Sequence, residues 1–217
     1  VIDEDFHMSY PQVFKYKEEY YMLPETKRSN NVILYKAKNF PYEWVQFDTL
    51  ISNVRYKDPT LLLSEKGNYI FTCDDDMNLI VYESDNLFGV WSKKENIPNL
   101  KGNKVRGGGR IFEYNNTYYY PVQNSKYGYG SGVSLLKITF DENNSIYLTE
   151  AKDWLLHPED YITEFSHGMH HLDLQRTNDG FRYVYDGDKN GDDNLFNWKR
   201  TLKYNFLDLR NFWLSIF

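Results

Sequence analysis

The chain has 217 residues, enough to bury a full hydrophobic core, and at that length a single domain is the expectation. A formal charge of -6 argues against nucleic acid and anionic membrane as partners, and the single cysteine, Cys73, excludes an internal disulfide framework. No apolar run is long enough to span a bilayer, and aromatic residues reach 18% of the chain, which suits pleated, half-buried surfaces and points to an all-β fold.

Residues 1–7 read as the remnant of a preceding unit. Tyr10 to Tyr16 and Tyr20 to Pro24 then form two expected strands around a turn at Lys17-Glu-Glu19. Asn31 to Ala37 alternates apolar and polar residues as a third strand, Phe40-Pro-Tyr-Glu-Trp44 is a turn, and Val45 to Leu50 is a short fourth strand. The same order returns: Thr60 to Leu63, Tyr69 to Thr72, the turn Asp74-Asp-Asp76, then Asn78 to Glu83. Leu87-Phe-Gly-Val-Trp91 stands where Phe40–Trp44 stood, with a tryptophan at the same point. Cys73 closes one of these strands, where a buried structural thiol fits better than a nucleophile.

A third unit opens at Arg106-Gly-Gly-Gly-Arg110 and continues as Ile111 to Tyr114, Thr117 to Val122, Val133 to Phe140 and Ser145 to Thr149. A fourth begins near Ser166-His-Gly-Met-His-His-Leu-Asp173 and turns at Thr177-Asn-Asp-Gly180 into Phe181 to Tyr185. Leu195 to Phe206 packs as outer strands or as a terminal element closing the ring. The acidic run Asp186 to Asp193 resembles a calcium loop but lacks its final bidentate Glu, so a solvated turn is expected.

These units are an internal repeat. Aligned on Val13, Leu61 and Ile111, the first three copies lie 48 and 50 residues apart. In each, the residue after the anchor is followed seven places later by a tyrosine: Phe14 to Tyr21, Leu62 to Tyr69, Phe112 to Tyr119. Four short antiparallel strands per repeat predict a β-propeller, with blades over about 8–50, 56–95, 106–150 and 165–206.

The first strand of a propeller blade lines the central channel, so the residues opening each unit are the site candidates. They are His7, Ser9 and Tyr10; Asp58; Arg106 and Arg110; and His167, His170 and His171, with Glu25 closing the first inner hairpin. Carboxylates, arginines and histidines facing one polar pocket suit sugar chemistry, and tyrosines stack on pyranose rings while keeping a polar handle. Each has a plainer reading beside it. Asp58 before Pro59 caps a turn, and Glu25 is a solvated hairpin end. Arg110 grips a sugar carboxylate or phosphate, or pairs with Asp58 between blades. The histidines contact substrate, bind metal or serve structure; a third metal ligand with proper spacing is missing, so neither metal nor other cofactor is expected.

Phe6-His-Met-Ser-Tyr-Pro11, Tyr21-Met-Leu-Pro-Glu-Thr26, Leu34 to Trp44 and Asp58-Pro-Thr60, in this order and spacing, resemble the N-terminal domain of glucosamine inositolphosphorylceramide transferases and its bacterial relatives. That domain is similar in turn to the five-bladed propellers of arabinanases, levansucrases and invertases. The resemblance covers about residues 5–190. It implies a glycan-related role beside a transferase domain, with Asp58 as a catalytic or transition-state-stabilising acid and Glu25 as the proton donor. Relatives carry a further blade before the His-x-Ser-Tyr-Pro motif, opening with its own Asp-Pro, and that acid has no counterpart among these residues.

Two functions follow as expectations. One is a glycosidase-like or glycosyl-transferring domain acting on a polysaccharide or glycolipid sugar. The other is a non-catalytic glycan-binding or docking propeller attached to a transferase, and a degenerate structural domain is a third. A single cysteine and no basic-then-apolar leader point to the cytoplasm, whereas a removed N-terminus would fit an extracellular protein.

Overall fold

The computed structural model describes residues 2–95, 97, 100–158 and 167–188. Among them there is no α-helix, and none long and apolar enough to cross a membrane. The described chain forms two compact units: one runs to residue 75 and resumes over 80–95, the other takes in 76–79 and the described residues beyond 95.

The first unit holds two four-stranded antiparallel blades in simple meander order. Blade one is β1 (Ser9–Tyr16), β2 (Glu19–Glu25), β3 (Asn31–Asn39) and β4 (Glu43–Ser52). Blade two is β5 (Lys57–Ser64), β6 (Gly67–Cys73), β7 (Leu79–Ser84) and the two-residue β8 (Ser92–Lys93). Side chains alternate across a strand, so each blade offers two faces. Tyr21 and Leu23 of β2 and Val32 and Leu34 of β3 join Leu61, Ile70, Ile80 and Trp91 in a core shared by both blades. The intervening Met22, Ile33 and Tyr35 face the other way and pack with Ala37 and Trp44 against Phe6 and Met8 of the leading segment. Leu23 and Leu34 are wholly buried, and truncating such a side chain to alanine costs about 2–5 kcal/mol.

The seven-residue spacing is a cross-strand pair. Phe14 lies opposite Tyr21, Leu62 opposite Tyr69 and Phe112 opposite Tyr119 across three successive hairpins. Two of these pairs stack their rings, at 6.0 Å in the first hairpin and 5.6 Å in the third. The matching tryptophans also share a task. Trp44 Nε1 donates to the Pro41 carbonyl and Trp91 Nε1 to the Leu87 carbonyl, each closing the turn before its own indole. Cys73 is buried at the end of β6, the structural position expected of it.

The second unit contains the blade β9 (Phe112–Tyr114), β10 (Thr117–Gln123), β11 (Val133–Phe140) and β12 (Ile146–Leu156), and the hairpin β13 (Leu172–Thr177) with β14 (Gly180–Tyr185). Strand β12 runs seven residues beyond the expected end at Thr149. Its continuation Glu150-Ala-Lys-Asp153 is largely exposed and held through backbone pairing to β11, so no hydrophobic alternation marks it. The expected outer strands Leu195 to Phe206 lie outside the described residues.

Candidate functional site

Counting back from the hairpin turns puts the openings of the three blades and of the β13–β14 hairpin in register. Tyr10, Asp58, Gly108 and His171 each stand six residues before the last residue of the first hairpin strand, which is Tyr16, Ser64, Tyr114 or Thr177. In the first unit this point is a bulge in both blades: pairing slips between Ser9 and Gln12, and between Lys57 and Thr60. Tyr10 and Asp58 both take positive φ, 52° and 48°. Each precedes a proline, which disfavours helical conformations, and neither is glycine. Local strain of this kind costs on the order of 1–3 kcal/mol and persists where the surroundings over-determine it.

Those surroundings are visible. Asp58 is 3% exposed. Its backbone N–H donates to Glu25 Oε2 at 3.0 Å, joining two acidic residues 33 positions apart. Its carbonyl accepts from the Thr60 hydroxyl, which also lies 2.9 Å from the Tyr10 hydroxyl. Gln12 bridges the blades, its amide nitrogen donating to the Leu61 carbonyl while its oxygen accepts from the Leu61 N–H. Beside Glu25 and Asp58, Lys27, Arg55 and Lys57 converge on the Asp75 carboxylate. Burial pushes this carboxyl up, but the hydrogen bond from Lys27 and the nearby charge of Lys57 outweigh it and hold Asp75 below the usual carboxylate range. His7 is exposed on the segment leading into β1.

In the second unit the opening is built from glycine. A Cβ on Gly108 would stand 2.8 Å from the backbone of Val122 and Gln123, and one on Gly109 would overlap the Leu172 carbonyl. The absence of side chains lets the Leu172 N–H reach the Gly108 carbonyl at 2.7 Å, fastening β13 to this loop. Arg110 holds Asp173 through two hydrogen bonds, from Nε at 2.9 Å and Nη2 at 3.3 Å. Arg110 stands where Gln12 stands in the first blade, and both residues tie their own blade to the next strand pair.

The three histidines divide. His167 Nδ1 lies 3.0 Å from the exposed carboxylate of Asp188. His170 and His171 both donate backbone N–H bonds to Asp186 Oδ1, at 2.9 and 2.7 Å, while His170 Nδ1 meets Asp186 Oδ2. Burial alone would raise the Asp186 carboxyl; the His170 ring contact and the backbone donors overcome it and keep the group ionised below its ordinary range. Tyr129 leans on His170 with ring centroids 4.9 Å apart, and the Arg106 guanidinium sits 5.6 Å from the Tyr129 centroid. Asp186 is therefore not a residue of a solvated turn but the anchor of the histidine segment; Asp192 and Asp193 lie outside the described residues. Among the described residues, no group of three or more His, Cys, Asp or Glu side chains is arranged to hold a metal ion.

Asp173, Asp186, Tyr129 and Asp75 had no motif to announce them. The one available signal was the acidic run itself, since an aspartate at the end of a strand commonly accepts N–H bonds from a neighbouring turn.

The sequence matches the profile of the family described as glucosamine inositolphosphorylceramide transferase 1, N-terminal, over residues 1–188. A relative from Oryza sativa subsp. japonica, glucosamine inositolphosphorylceramide transferase 1, is 31% identical over 212 residues, covering 87% of this chain and 27% of the relative. Its Arabidopsis thaliana counterpart is 29% identical over 147 residues, covering 63% and 19%. The chain thus spans about a quarter of the length of these relatives. Among solved structures, the Bombyx mori GH32 β-fructofuranosidase superposes with a TM-score of 0.61 at 11% identity, covering 92% of this chain and 47% of that one. A thermostable family-43 glycoside hydrolase gives 0.60 at 11% identity, covering 83% and 64%. At such identities the likeness establishes the fold, a propeller of four-stranded antiparallel blades.

Proposed function

Because this chain belongs to the family described as glucosamine inositolphosphorylceramide transferase 1, N-terminal, we propose that it is the sugar-recognising propeller of a longer glycosyl-transfer protein, holding a carbohydrate without cleaving it. The relatives extend well beyond the aligned part, which leaves room for a transferase domain elsewhere in such proteins. The family-43 glycoside hydrolase and the GH32 β-fructofuranosidase share the propeller fold, so a glycan is the natural ligand class.

The observation that carries recognition over cleavage is the state of the two acids. Asp58 is 3% exposed, and Glu25 Oε2 is engaged by the Asp58 N–H. Glycoside cleavage needs one carboxyl free to protonate the leaving oxygen and a second, roughly 5–9.5 Å away, to act as nucleophile or base. A buried aspartate and a glutamate oxygen that braces its backbone suit a structural hub better than that pair of roles. Within the first unit, His7 and Tyr10 are the candidate sugar contacts. Within the second, they are Arg106, His167, His170 and His171, while Arg110 serves the blade contact with Asp173.

Cleavage by Asp58 with Glu25 is the second reading, favoured by the strained φ of 48° at Asp58, since strain concentrates at functional sites. The two separate on incubation with glucosamine, inositol phosphate, xylotriose and β-1,3-galactotriose. Recognition predicts binding with no released monosaccharide from either oligosaccharide. Turnover that Asp58→Asn abolishes would establish the enzyme instead.

A further inference from the structure

We infer that Asp186 and His170 form a fixed hydrogen-bonding dyad that presents His170 Nε2 as an acceptor for a glycan hydroxyl, with the Tyr129 ring flanking it. The inference rests on the sugar-recognition reading and adds to it a positioning residue and a ring tautomer.

The geometry leaves Asp186 little choice of partners. Its Oδ1 takes two backbone N–H bonds, from His170 and His171, and Oδ2 meets His170 Nδ1. All three partners face an acceptor-only carboxylate, so Nδ1 must carry the proton. In a neutral imidazole the other nitrogen is then a lone-pair acceptor. The ring is not buried: the His170 side chain is 35% exposed, and Tyr129 beside it is 42% exposed. A polar acceptor set next to an accessible aromatic ring matches a saccharide, which offers hydroxyl donors around an apolar ring face. The dyad is held from several sides: the Met169 N–H bonds the Gly130 carbonyl, the His171 carbonyl accepts the Asp186 N–H, and the Arg106 guanidinium packs by Tyr129.

Replacement of Asp186 by asparagine gives a sharp consequence. The two backbone N–H groups require an oxygen at the Oδ1 place, so the asparagine carbonyl settles there and its amide donates toward His170 Nδ1. The proton moves to Nε2, and the acceptor becomes a donor with the shape of the site unchanged.

The test is nitrogen-15 NMR of the imidazole rings at neutral pH, with calorimetric titration of the four compounds above, on wild type, Asp186→Asn and His170→Ala. Wild type is expected to show His170 protonated on Nδ1, and Asp186→Asn to show it protonated on Nε2. His170→Ala is expected to bind the recognised sugar about tenfold more weakly, the loss of one hydrogen bond to the ligand. A wild-type ring protonated on Nε2 overturns the dyad, and so does equal sugar affinity in wild type and His170→Ala; both outcomes leave sugar recognition standing. No binding of any of the four compounds to wild type overturns the acceptor role of His170 and the recognition reading together.

Discussion

The backbone N–H of Asp58 donates to the carboxylate of Glu25 at 3.0 Å, so the last residue of β2 in one blade fixes the opening of the next. The bond sits at a residue with φ of 48° that is 3% exposed. Glu25→Ala would strand a buried N–H, at a cost of about 1–3 kcal/mol. Glu25→Gln keeps an acceptor and is expected to lose under about 1 kcal/mol. Urea unfolding of the two variants checks the contrast, and equal midpoints for Glu25→Ala and wild type would remove the bond from the account.

Gly109 and Gly180 offer a matched pair. Both have φ of +144°, but a Cβ at Gly109 meets the Leu172 carbonyl at 1.7 Å, whereas at Gly180 nothing lies within 4 Å. Gly180→Ala carries backbone strain alone and is expected to cost about 1 kcal/mol. Gly109→Ala adds a backbone overlap that no rotamer relieves, and a loss above about 3 kcal/mol is expected. Thermal melts of both proteins give the difference.

Arg110 and Asp173 are 17% and 33% exposed, between the regimes of surface and interior ion pairs. A double-mutant cycle with alanine at each is expected to give a coupling of about 1–2 kcal/mol. Arg110→Lys is expected to recover only part of it, because a point charge does not reproduce the two-bond fork.

Asp75 sets a pH dependence. Its carboxyl lies below the ordinary 3.8 in the folded chain, so the folded state binds this proton less readily than the unfolded state. Its contribution to stability is therefore present above the unfolded value and is lost as pH falls through the folded one. Stability should decline on acidification below about pH 4–5, and Asp75→Asn should flatten the part of that decline due to this group. Denaturant midpoints between pH 2.5 and 6 report it.

The repeat was legible because a hairpin writes itself locally. Phe14 and Tyr21, or Phe112 and Tyr119, are neighbours across one turn, and their spacing recurs with the blade. Trp44 and Trp91 mark the same turn by the same short-range bond. The contacts that fasten one strand pair to the next were not legible. Gln12 reaches Leu61, Arg110 reaches Asp173, and His170 reaches Asp186. The first two join polar groups 49 and 63 positions apart on different strand pairs, and the third closes the base of the β13–β14 hairpin; all three pairings are set by tertiary position rather than periodicity. The candidate residues at the blade openings were thus found as positions, while the partners that define their chemistry came only with the structure.

Calorimetric titration of the unmodified protein with glucosamine, inositol phosphate, xylotriose and β-1,3-galactotriose decides whether this propeller holds a carbohydrate. Saturable binding of at least one of them is expected, with the ligand recovered intact. Flat titrations for all four, in a protein that unfolds cooperatively and is therefore folded, would contradict carbohydrate recognition by this propeller.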